Sequence, residues 1–136
     1  MNYLLDTNIC ITLINGTSAK ARTRYGQAVQ SGATLTSSSI VVYELWYGAA
    51  KSARPEANAR RLQAFLAPDL TVLDFSEQDA HATGEIRAEL ERKGKRIGEY
   101  DTLIAGQALC RNFTLVTANT REFRRVKGLL LEDWTQ

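Results

Sequence analysis

The sequence is poor in residues that hold zinc or cross-link a chain. It has one histidine, His81, and two cysteines, Cys10 and Cys110, in 136 residues. Zinc sites draw most of their ligands from histidine and cysteine, so zinc chemistry is not expected. Both cysteines lie in apolar helical patterns, where we expect small buried side chains and where a disulfide is the minor alternative.

Long apolar runs and a large excess of one charge are also missing. No apolar run approaches the roughly 18 residues that a membrane span needs. The N-terminal segment has no basic stretch followed by a cleavable apolar stretch, so no signal peptide is expected and the predicted location is cytoplasmic. The net charge is +2, from 17 basic and 15 acidic residues, which is too small to indicate nucleic-acid binding by itself.

Strand-like and helix-like segments alternate along the chain. Four strands and one short edge strand are predicted, at 2–5, 33–36, 71–75, 113–118 and within 129–134, and the first and fourth of them are expected to be buried. Helices are predicted between them, at about 9–15, 18–31, 40–53, 55–66, 76–90 and 99–112. Strands separated by helices pair in parallel, so we expect an α/β fold with a central parallel sheet of four to five strands sandwiched by helices. The length indicates a single domain, 1–136.

Three acidic residues are embedded in apolar sequence. Asp6 lies in YLLDTNICI, Glu44 lies in IVVYELWYGAA, and Asp101 lies in the first helical turn of IGEYDTLIAGQAL. Separately, Asp6 and Asp101 can be helix caps and Glu44 can lie at a helix edge. Together they need raised pKa values or a compensating cation, because an unpaired buried charge is costly. Oxygen ligands without histidine or cysteine suit Mg²⁺ or Mn²⁺.

The predicted sheet brings candidate site residues to one of its edges. In parallel α/β sheets, sites form beyond the carboxyl ends of the strands. Asp6 ends the first strand, and Asn119 follows the fourth. We therefore expect both residues at the same edge of the sheet, with Asp6 as a metal ligand and with helix capping left to Thr7 or Asn8.

Four sequence motifs occur in the order LLDTNICI, YELWYGAAKS, IGEYDTLIAG and LVTANTREF. They resemble the motifs of the PIN-domain ribonucleases, and most closely those of the VapC toxins of bacterial toxin-antitoxin pairs. The resemblance extends over essentially the whole chain. It implies a PIN-like fold, metal-dependent endoribonuclease activity and a site in which Asp6, Glu44 and Asp101 bind Mg²⁺, or Mn²⁺ in its place.

One acidic position of the family pattern is changed in this chain. Many PIN domains have an aspartate two residues after the strand threonine, where this chain has Asn119. Glu122 follows three residues later and is a second candidate for the missing charge. The resemblance adds Asn119 and Glu122 to the catalytic residues and leaves open which of them fills the fourth position. Hydrogen-bonding partners for the acidic residues are expected at Thr7, Asn8, Thr117 and Thr120.

The chain has three basic stretches, at 20–24, 87–96 and 121–127. By themselves such stretches indicate solvated helix faces and loops. Next to a metal-neutralised carboxylate cluster, the last two would bind the phosphodiester backbone of a nucleic acid. The resemblance implies a structured RNA with an exposed loop, with transfer RNA, and initiator tRNA first, as the leading candidate, and it implies that cleavage inhibits translation.

Partner proteins are indicated by aromatic residues and by the resemblance. Tyr43, Trp46 and Tyr47 lie on more than one face of a helix, so one or two of them are core, or all three border a hydrophobic groove for another protein. The resemblance implies a VapB-like antitoxin that binds DNA itself and blocks the site, and it implies a homodimer of the chain. Contact with DNA is expected only through the antitoxin.

Two other classes of protein remain open. A PIN-fold module that binds RNA or protein, with weakened catalysis, would account for Asn119. A phosphohydrolase or a receiver-type α/β domain also places an aspartate after the first strand, but it needs a second nearby aspartate or a lysine after a later strand. The chain has Asn119 and Thr120 there, which disfavours that class.

Overall fold

A five-stranded sheet runs through the protein in the computed structural model, which describes residues 1–136. Its strands are β1 (Asn2–Leu5), β2 (Thr34–Ser38), β3 (Thr71–Leu73), β4 (Thr114–Val116) and β5 (Leu131–Glu132). The strand order is β3-β2-β1-β4-β5, and every neighbouring pair is parallel.

Seven helices connect and flank these strands. They are α1 (Thr7–Asn15), α2 (Ala19–Gln30), α3 (Ser39–Ala50), α4 (Pro55–Leu66), α5 (Glu77–Arg92), α6 (Glu99–Arg111) and α7 (Thr120–Phe123). None of them combines the length and the hydropathy that crossing a bilayer requires. The predicted α/β fold, with a parallel sheet of four to five strands between helices, is confirmed.

The central strand β1 lies at the middle of the core. Leu4 and Leu5 have no solvent exposure, and Leu4 is in register with Thr36 of β2 and Leu115 of β4. A strand that is covered on both faces needs a continuous apolar run, which the sequence YLL supplies. Burying each leucine side chain contributes roughly 1.5–3 kcal/mol. The core is one cluster of 24 buried apolar side chains that includes this strand.

The C-terminal segment closes one edge of the sheet, as the predicted edge strand implies. Trp134 is buried, and its ring meets that of Tyr3 edge to face with the ring centroids 5.2 Å apart. Arg24 lies over the indole and pairs with Glu132 at 2.8 Å. The basic stretch at 20–24 therefore has a structural role through Arg24.

Three local predictions are wrong. Cys10 is buried as expected, but Cys110 is exposed, because an apolar helical pattern does not fix which side of a helix faces solvent near its end. The one-turn helix α7 was not predicted, since four residues are too few for a periodic signal. The strands expected at 71–75 and 113–118 are each only three residues long.

Helices α5 and α6 pack closely because α6 has a glycine at their contact. A Cβ atom on Gly106 would lie 2.8 Å from the Cα of Thr83 and 2.9 Å from its Cβ. Unbonded carbon atoms prefer about 3.5–4.0 Å, so only glycine permits this approach. The contact holds α6, whose first turn carries Asp101, against α5.

Candidate active site

Asp6 lies at the carboxyl edge of the sheet, where the central strands end. It follows β1 directly, and its backbone N–H donates a hydrogen bond to the carbonyl of Val116, the last residue of β4, at 3.1 Å. Only 4% of Asp6 is exposed, and Thr117, which follows β4, is fully buried. The chain segments that leave β1 and β4 therefore meet at this carboxylate.

Two neighbours hold the carboxyl group of Asp6. Its Oδ1 accepts a hydrogen bond from the N–H of Ile9 at 2.8 Å, and the side chain of Thr117 lies close enough to lower the pKa of the carboxyl group. Asp6 is thus the N-cap of α1, and the prediction that capping is left to Thr7 or Asn8 is wrong. The extended backbone of Asp6 directs its side chain over the first turn, which is the geometry of an N-cap.

The environment of Asp6 disfavours its ionised form. Burial raises the pKa of Asp6 to about 6; the hydrogen bonds from Thr117 and Ile9 oppose this, and the charges of Asp101 and Glu44 add to it. A buried carboxylate that faces two other carboxylates is costly to ionise. A cation at this position would remove that cost.

Glu44 is tied to the residue that follows Asp6. The hydroxyl of Thr7 donates a hydrogen bond to Oε1 of Glu44 at 2.7 Å and so joins α1 to α3. Glu44 is half-buried, near the middle of α3. Thr7 thus hydrogen-bonds to an acidic residue of the site, as predicted, whereas Asn8 is exposed.

Asp101 enters the site from the first turn of α6. It is half-buried, and burial raises its pKa, with further increases from the charges of Glu122 and Glu44. A Cβ atom on Gly98 would lie 3.3 Å from Oδ2 of Asp101, so the carboxylate faces the backbone of the loop before α6. Glycine at 98 keeps that side of the carboxylate free of a side chain.

Asn119 and Glu122 are joined to each other. The backbone N–H of Asn119 donates to Oγ1 of Thr117 at 3.0 Å, and its Nδ2 donates to Oε2 of Glu122 at 3.2 Å. Thr117 therefore contacts both Asp6 and the start of α7. Since the charge of Glu122 acts on Asp101, the four predicted acidic residues and Asn119 lie in one region.

The acidic side chains act on one another electrostatically without forming a compact cluster. No three histidine, cysteine, aspartate or glutamate side chains lie close enough together to hold a metal ion by themselves. Mg²⁺ keeps several of its waters and needs only one or two direct carboxylate ligands. The all-oxygen donor set and the mutual repulsion of the carboxylates fit such an ion. The assignment of Asp6, Glu44 and Asp101 as its ligands stays a prediction.

Known proteins are similar to this chain in both sequence and fold. A family model described as "PIN domain" matches residues 3–129. The chain belongs to the PIN-domain family. The "tRNA(fMet)-specific endonuclease VapC" of Shigella flexneri is 44% identical to it over 135 residues, which is 99% of either chain. "Ribonuclease VapC2" of Rickettsia felis is 43% identical over 134 residues, which is 98% of either chain.

A solved structure gives the same result. The crystal structure of VapBC2 from Rickettsia felis, bound to a DNA fragment from its promoter, contains a chain that superposes with a TM-score of 0.92 at 42% identity, covering 98% of this chain and 99% of that one. This PIN domain is therefore a ribonuclease of the VapC group, a hydrolase of phosphodiester bonds. The alternative of a phosphohydrolase or receiver-type domain is wrong.

Two basic stretches of the PIN domain meet beside the acidic region. The guanidinium of Arg125 donates to the carbonyl of Arg96 at 3.0 Å, which joins the segment after α7 to the loop before α6. Lys93 and Arg96 pair with glutamates of α5 at 3.2 Å and 3.6 Å, whereas Arg121 and Arg124 are exposed without an ion pair. Unpaired cations of this kind are available to phosphate groups.

The aromatic residues of α3 are all on the surface. Tyr43, Trp46 and Tyr47 are 54%, 37% and 57% exposed, so the alternative that one or two of them are core is wrong. Tyr43 packs edge to face against Tyr100 with the ring centroids 5.8 Å apart, whereas Tyr47 lies under the ammonium group of Lys51.

Sequence reasoning missed two features of the PIN domain. Tyr100 contacts Tyr43 beside the acidic region, and its only sequence signal is its position next to Asp101. Asp79 has no exposed surface and is paired with Arg111 at 3.0 Å. In the sequence Asp79 resembles any acidic residue in the first turn of a helix.

Proposed function

We propose that the chain is a Mg²⁺-dependent endoribonuclease toxin that cleaves structured RNA, with initiator tRNA as its leading substrate, and thereby inhibits translation. The observation that carries this proposal is the buried carboxylate of Asp6, whose pKa is raised by burial and by the charges of Asp101 and Glu44. Relatives that cover nearly the whole chain and are named for tRNA(fMet) support the choice of substrate.

Each residue of the site has its own role in this proposal. Asp6 and Asp101 would hold the metal ion, and Glu44, oriented by the Thr7 hydroxyl, would complete the site or orient the attacking water. Bound Mg²⁺ would make water a better nucleophile and offset charge on the phosphate in an in-line displacement. Thr117 accepts a hydrogen bond from the backbone N–H of Asn119 and lies beside Asp6, so it links the two sides of the site.

Glu122 supplies the charge at the fourth acidic position, with Asn119 as its hydrogen-bonding partner. The Nδ2 of Asn119 donates to the carboxylate of Glu122, whose charge raises the pKa of Asp101. Replacing the usual aspartate by Asn119 therefore does not remove negative charge from this side of the site. That favours an active enzyme over a PIN-fold binding module with weakened catalysis.

The test is cleavage of defined RNAs by the purified chain. Initiator tRNA and the elongator tRNA for methionine are incubated with the chain in Mg²⁺, and the new RNA ends are sequenced. We expect cuts at one position of initiator tRNA, no cuts in the elongator, and no cleavage after chelation of the metal. Intact initiator tRNA in Mg²⁺, or equal cleavage with chelator, would refute the proposal.

We also propose that a VapB-like antitoxin binds the groove between α1, α3 and α4. The solved relatives are VapBC complexes, which supports such a partner. The groove has a volume of about 310 Å³ and ends at Glu44; its apolar lining is Ile11, Ile14, Leu45, Ala49 and Leu62. A partner segment seated there would extend an apolar face to the acidic region. Self-association, DNA contact through the antitoxin and a cytoplasmic location stay predictions.

Gly48 provides a test of this groove. A Cβ at Gly48 would meet nothing within 4 Å, so Gly48→Leu fits the free protein and fills the groove. Leucine also favours a helix over glycine. We expect Gly48→Leu to cleave RNA normally but to resist inhibition by the antitoxin encoded beside it, with at least a tenfold weaker complex, or about 1.4 kcal/mol. Unchanged inhibition would place the antitoxin elsewhere; Gly26→Leu, also with an open Cβ, is the control.

A further inference from the structure

Two exposed tyrosine rings border the carboxylates of the site. Tyr43 directly precedes Glu44 on α3, and Tyr100 directly precedes Asp101 on α6. The rings are 54% and 44% exposed, their centroids are 5.8 Å apart, and their hydroxyl oxygens are 3.5 Å apart. Two helices thus bring together an aromatic surface that the core does not use.

This aromatic pair lies near the acidic region. Hydrogen bonding to Tyr43 raises the pKa of Tyr100, and the charges of Glu44 and Glu99 add to that increase, so the Tyr100 hydroxyl lies within electrostatic range of Glu44. Tyr100 also forms one wall of a pocket of about 340 Å³ between α5 and the start of α6, which is within the usual size of small-molecule sites.

The pocket that Tyr100 lines also contains positive charge. Arg96 lines the same pocket as Tyr100, together with Arg87 and the acidic Glu99. The guanidinium of Arg125 donates to the carbonyl of Arg96, which brings this exposed arginine next to the loop. Tyr100 therefore lies near the acidic region and also borders a pocket that arginines line.

The substrate of a ribonuclease presents chemistry that matches these three kinds of group. A scissile phosphate needs the carboxylate-bound cation, the base beside it has an apolar π face, and the next phosphates need cations. Proteins that recognise unpaired RNA stack its bases on exposed aromatic side chains. A base in a paired stem is already stacked and has no free face for such contact.

We propose that Tyr43 and Tyr100 form a stacking platform for an unpaired base next to the scissile phosphate, a role that rests on the proposed nuclease function. The platform selects single-stranded loop positions, because only an unpaired base reaches it. Tyr43 and Tyr100 are positioning residues for the substrate.

The cleavage test compares ring removal with base removal. Tyr43→Ala and Tyr100→Ala are each expected to lower kcat/KM on initiator tRNA roughly tenfold, chiefly through KM, since stacking holds substrate and transition state alike. Tyr100→Phe, which keeps the ring, is expected to recover most of the loss. Tyr47→Ala is the matched control, because Tyr47 is equally exposed on α3 and faces Lys51 instead of Tyr100.

The decisive readout uses initiator tRNA with an abasic nucleotide on either side of the mapped cut. At one of these positions, removal of the base should lower the cleavage rate of the wild type to that of the alanine variants. The same removal should not lower the cleavage rate of the alanine variants any further. If Tyr100→Ala lowers kcat/KM relative to the wild type by the same factor on normal RNA and on both abasic RNAs, the proposal is overturned. A loss that accompanies conversion of a dimer to a monomer in light scattering would also overturn it, because the rings would then contact a second copy of the chain.

A binding measurement separates this proposal from the choice of substrate. A single-stranded RNA hexamer that carries 2-aminopurine loses fluorescence when its base stacks on an aromatic ring. We expect wild type and Tyr47→Ala to quench this signal and the Tyr43→Ala/Tyr100→Ala double variant to quench it at least about fivefold less at equal protein concentration. Equal quenching would overturn the platform even if initiator tRNA is cleaved. Normal quenching with intact tRNA would refute only the substrate.

Discussion

Replacing Asp6 with asparagine is expected to lower the rate of metal-dependent RNA cleavage at least about a thousandfold, or about 4 kcal/mol in the activation barrier. Asparagine has almost the same shape and is an equally good N-cap, so its Oδ1 still accepts the hydrogen bond from Ile9. The change removes the charge and leaves α1 in place. Cleavage of initiator tRNA in Mg²⁺ measures the loss.

The same substitution should stabilise the protein in the absence of metal. The pKa of Asp6 is about 6 in the folded state and 3.8 when unperturbed, so the folded state binds the extra proton between these values. This group's effect on stability is absent below about pH 4, becomes destabilising as the pH rises to about 6, and is fully unfavourable above it. The limit is about 3 kcal/mol at pH 8, since each pKa unit corresponds to about 1.4 kcal/mol.

Thermal unfolding gives a readout that is independent of activity. Mg²⁺ should raise the Tm of the wild type at pH 8 and much less at pH 5, where Asp6 is largely protonated, and it should have little effect on Asp6→Asn. Asp69→Asn is the control, because Asp69 is exposed in the loop before β3, at the opposite edge of the sheet. If Asp6→Asn binds Mg²⁺ and cleaves RNA like the wild type, Asp6 is not a ligand.

Local sequence signals predicted the parts of the site that depend on strand ends. Asp6 and Asn119 follow strands β1 and β4, and parallel strands bring their carboxyl ends to one edge. Glu44 and Asp101 were found because a carboxylate in an apolar helix is unusual. The cap at Asp6 was assigned to its neighbours, because the sequence does not give the backbone angles that decide which side chain reaches the first turn.

The parts that the sequence did not reveal depend on contacts between distant segments. Tyr43 and Tyr100 meet across α3 and α6, 57 positions apart in the chain. Asp79 meets Gln107 and Arg111 across α5 and α6, 28 and 32 positions apart. Neither pair alters the local periodicity, so neither leaves a pattern in the sequence. Such contacts become visible only once the packing of the helices is known.

The Asp79 contact holds the two longest helices together. Asp79 closes the capping box of α5 by accepting from the N–H of Ser76 at 2.8 Å, and Arg111 of α6 donates to both of its carboxylate oxygens at 3.2 Å and 3.0 Å. Gln107 donates to the same carboxylate at 3.2 Å, and its own Oε1 has no partner. The carboxylate of Asp79 is fully buried, and both of its oxygens accept hydrogen bonds.

Replacing Arg111 with methionine is expected to lower the free energy of unfolding by about 3 kcal/mol. Breaking a buried ion pair from one side leaves an uncompensated charge and costs roughly 3–5 kcal/mol, and the lower limit applies because the Arg111 side chain is 30% exposed. Urea unfolding measures the change. Arg92→Met is the matched control, since its pair with Glu89 is exposed and should be worth less than about 1 kcal/mol.

The decrease in the free energy of unfolding that Arg111→Met causes should also depend on pH. Burial alone would raise the pKa of Asp79, but hydrogen bonds from Arg111 and Ser76 outweigh it and hold the pKa below its usual value of 3.8. The stability from this group is therefore present above about pH 4 and is lost as the pH falls through the folded-state pKa. Arg111→Met should flatten that acid-side dependence, so its deficit is largest near neutral pH.

A second substitution distinguishes a lost ion pair from lost packing. Asp79→Asn combined with Arg111→Met removes the buried charge but keeps an acceptor for the Ser76 N–H, so the double variant should be more stable than Arg111→Met alone. If the double variant is less stable instead, the methylene groups of Arg111 and not its charge hold α5 to α6. Below their unfolding temperatures both variants should cleave RNA, because Asp101 lies at the other end of α6 from Arg111.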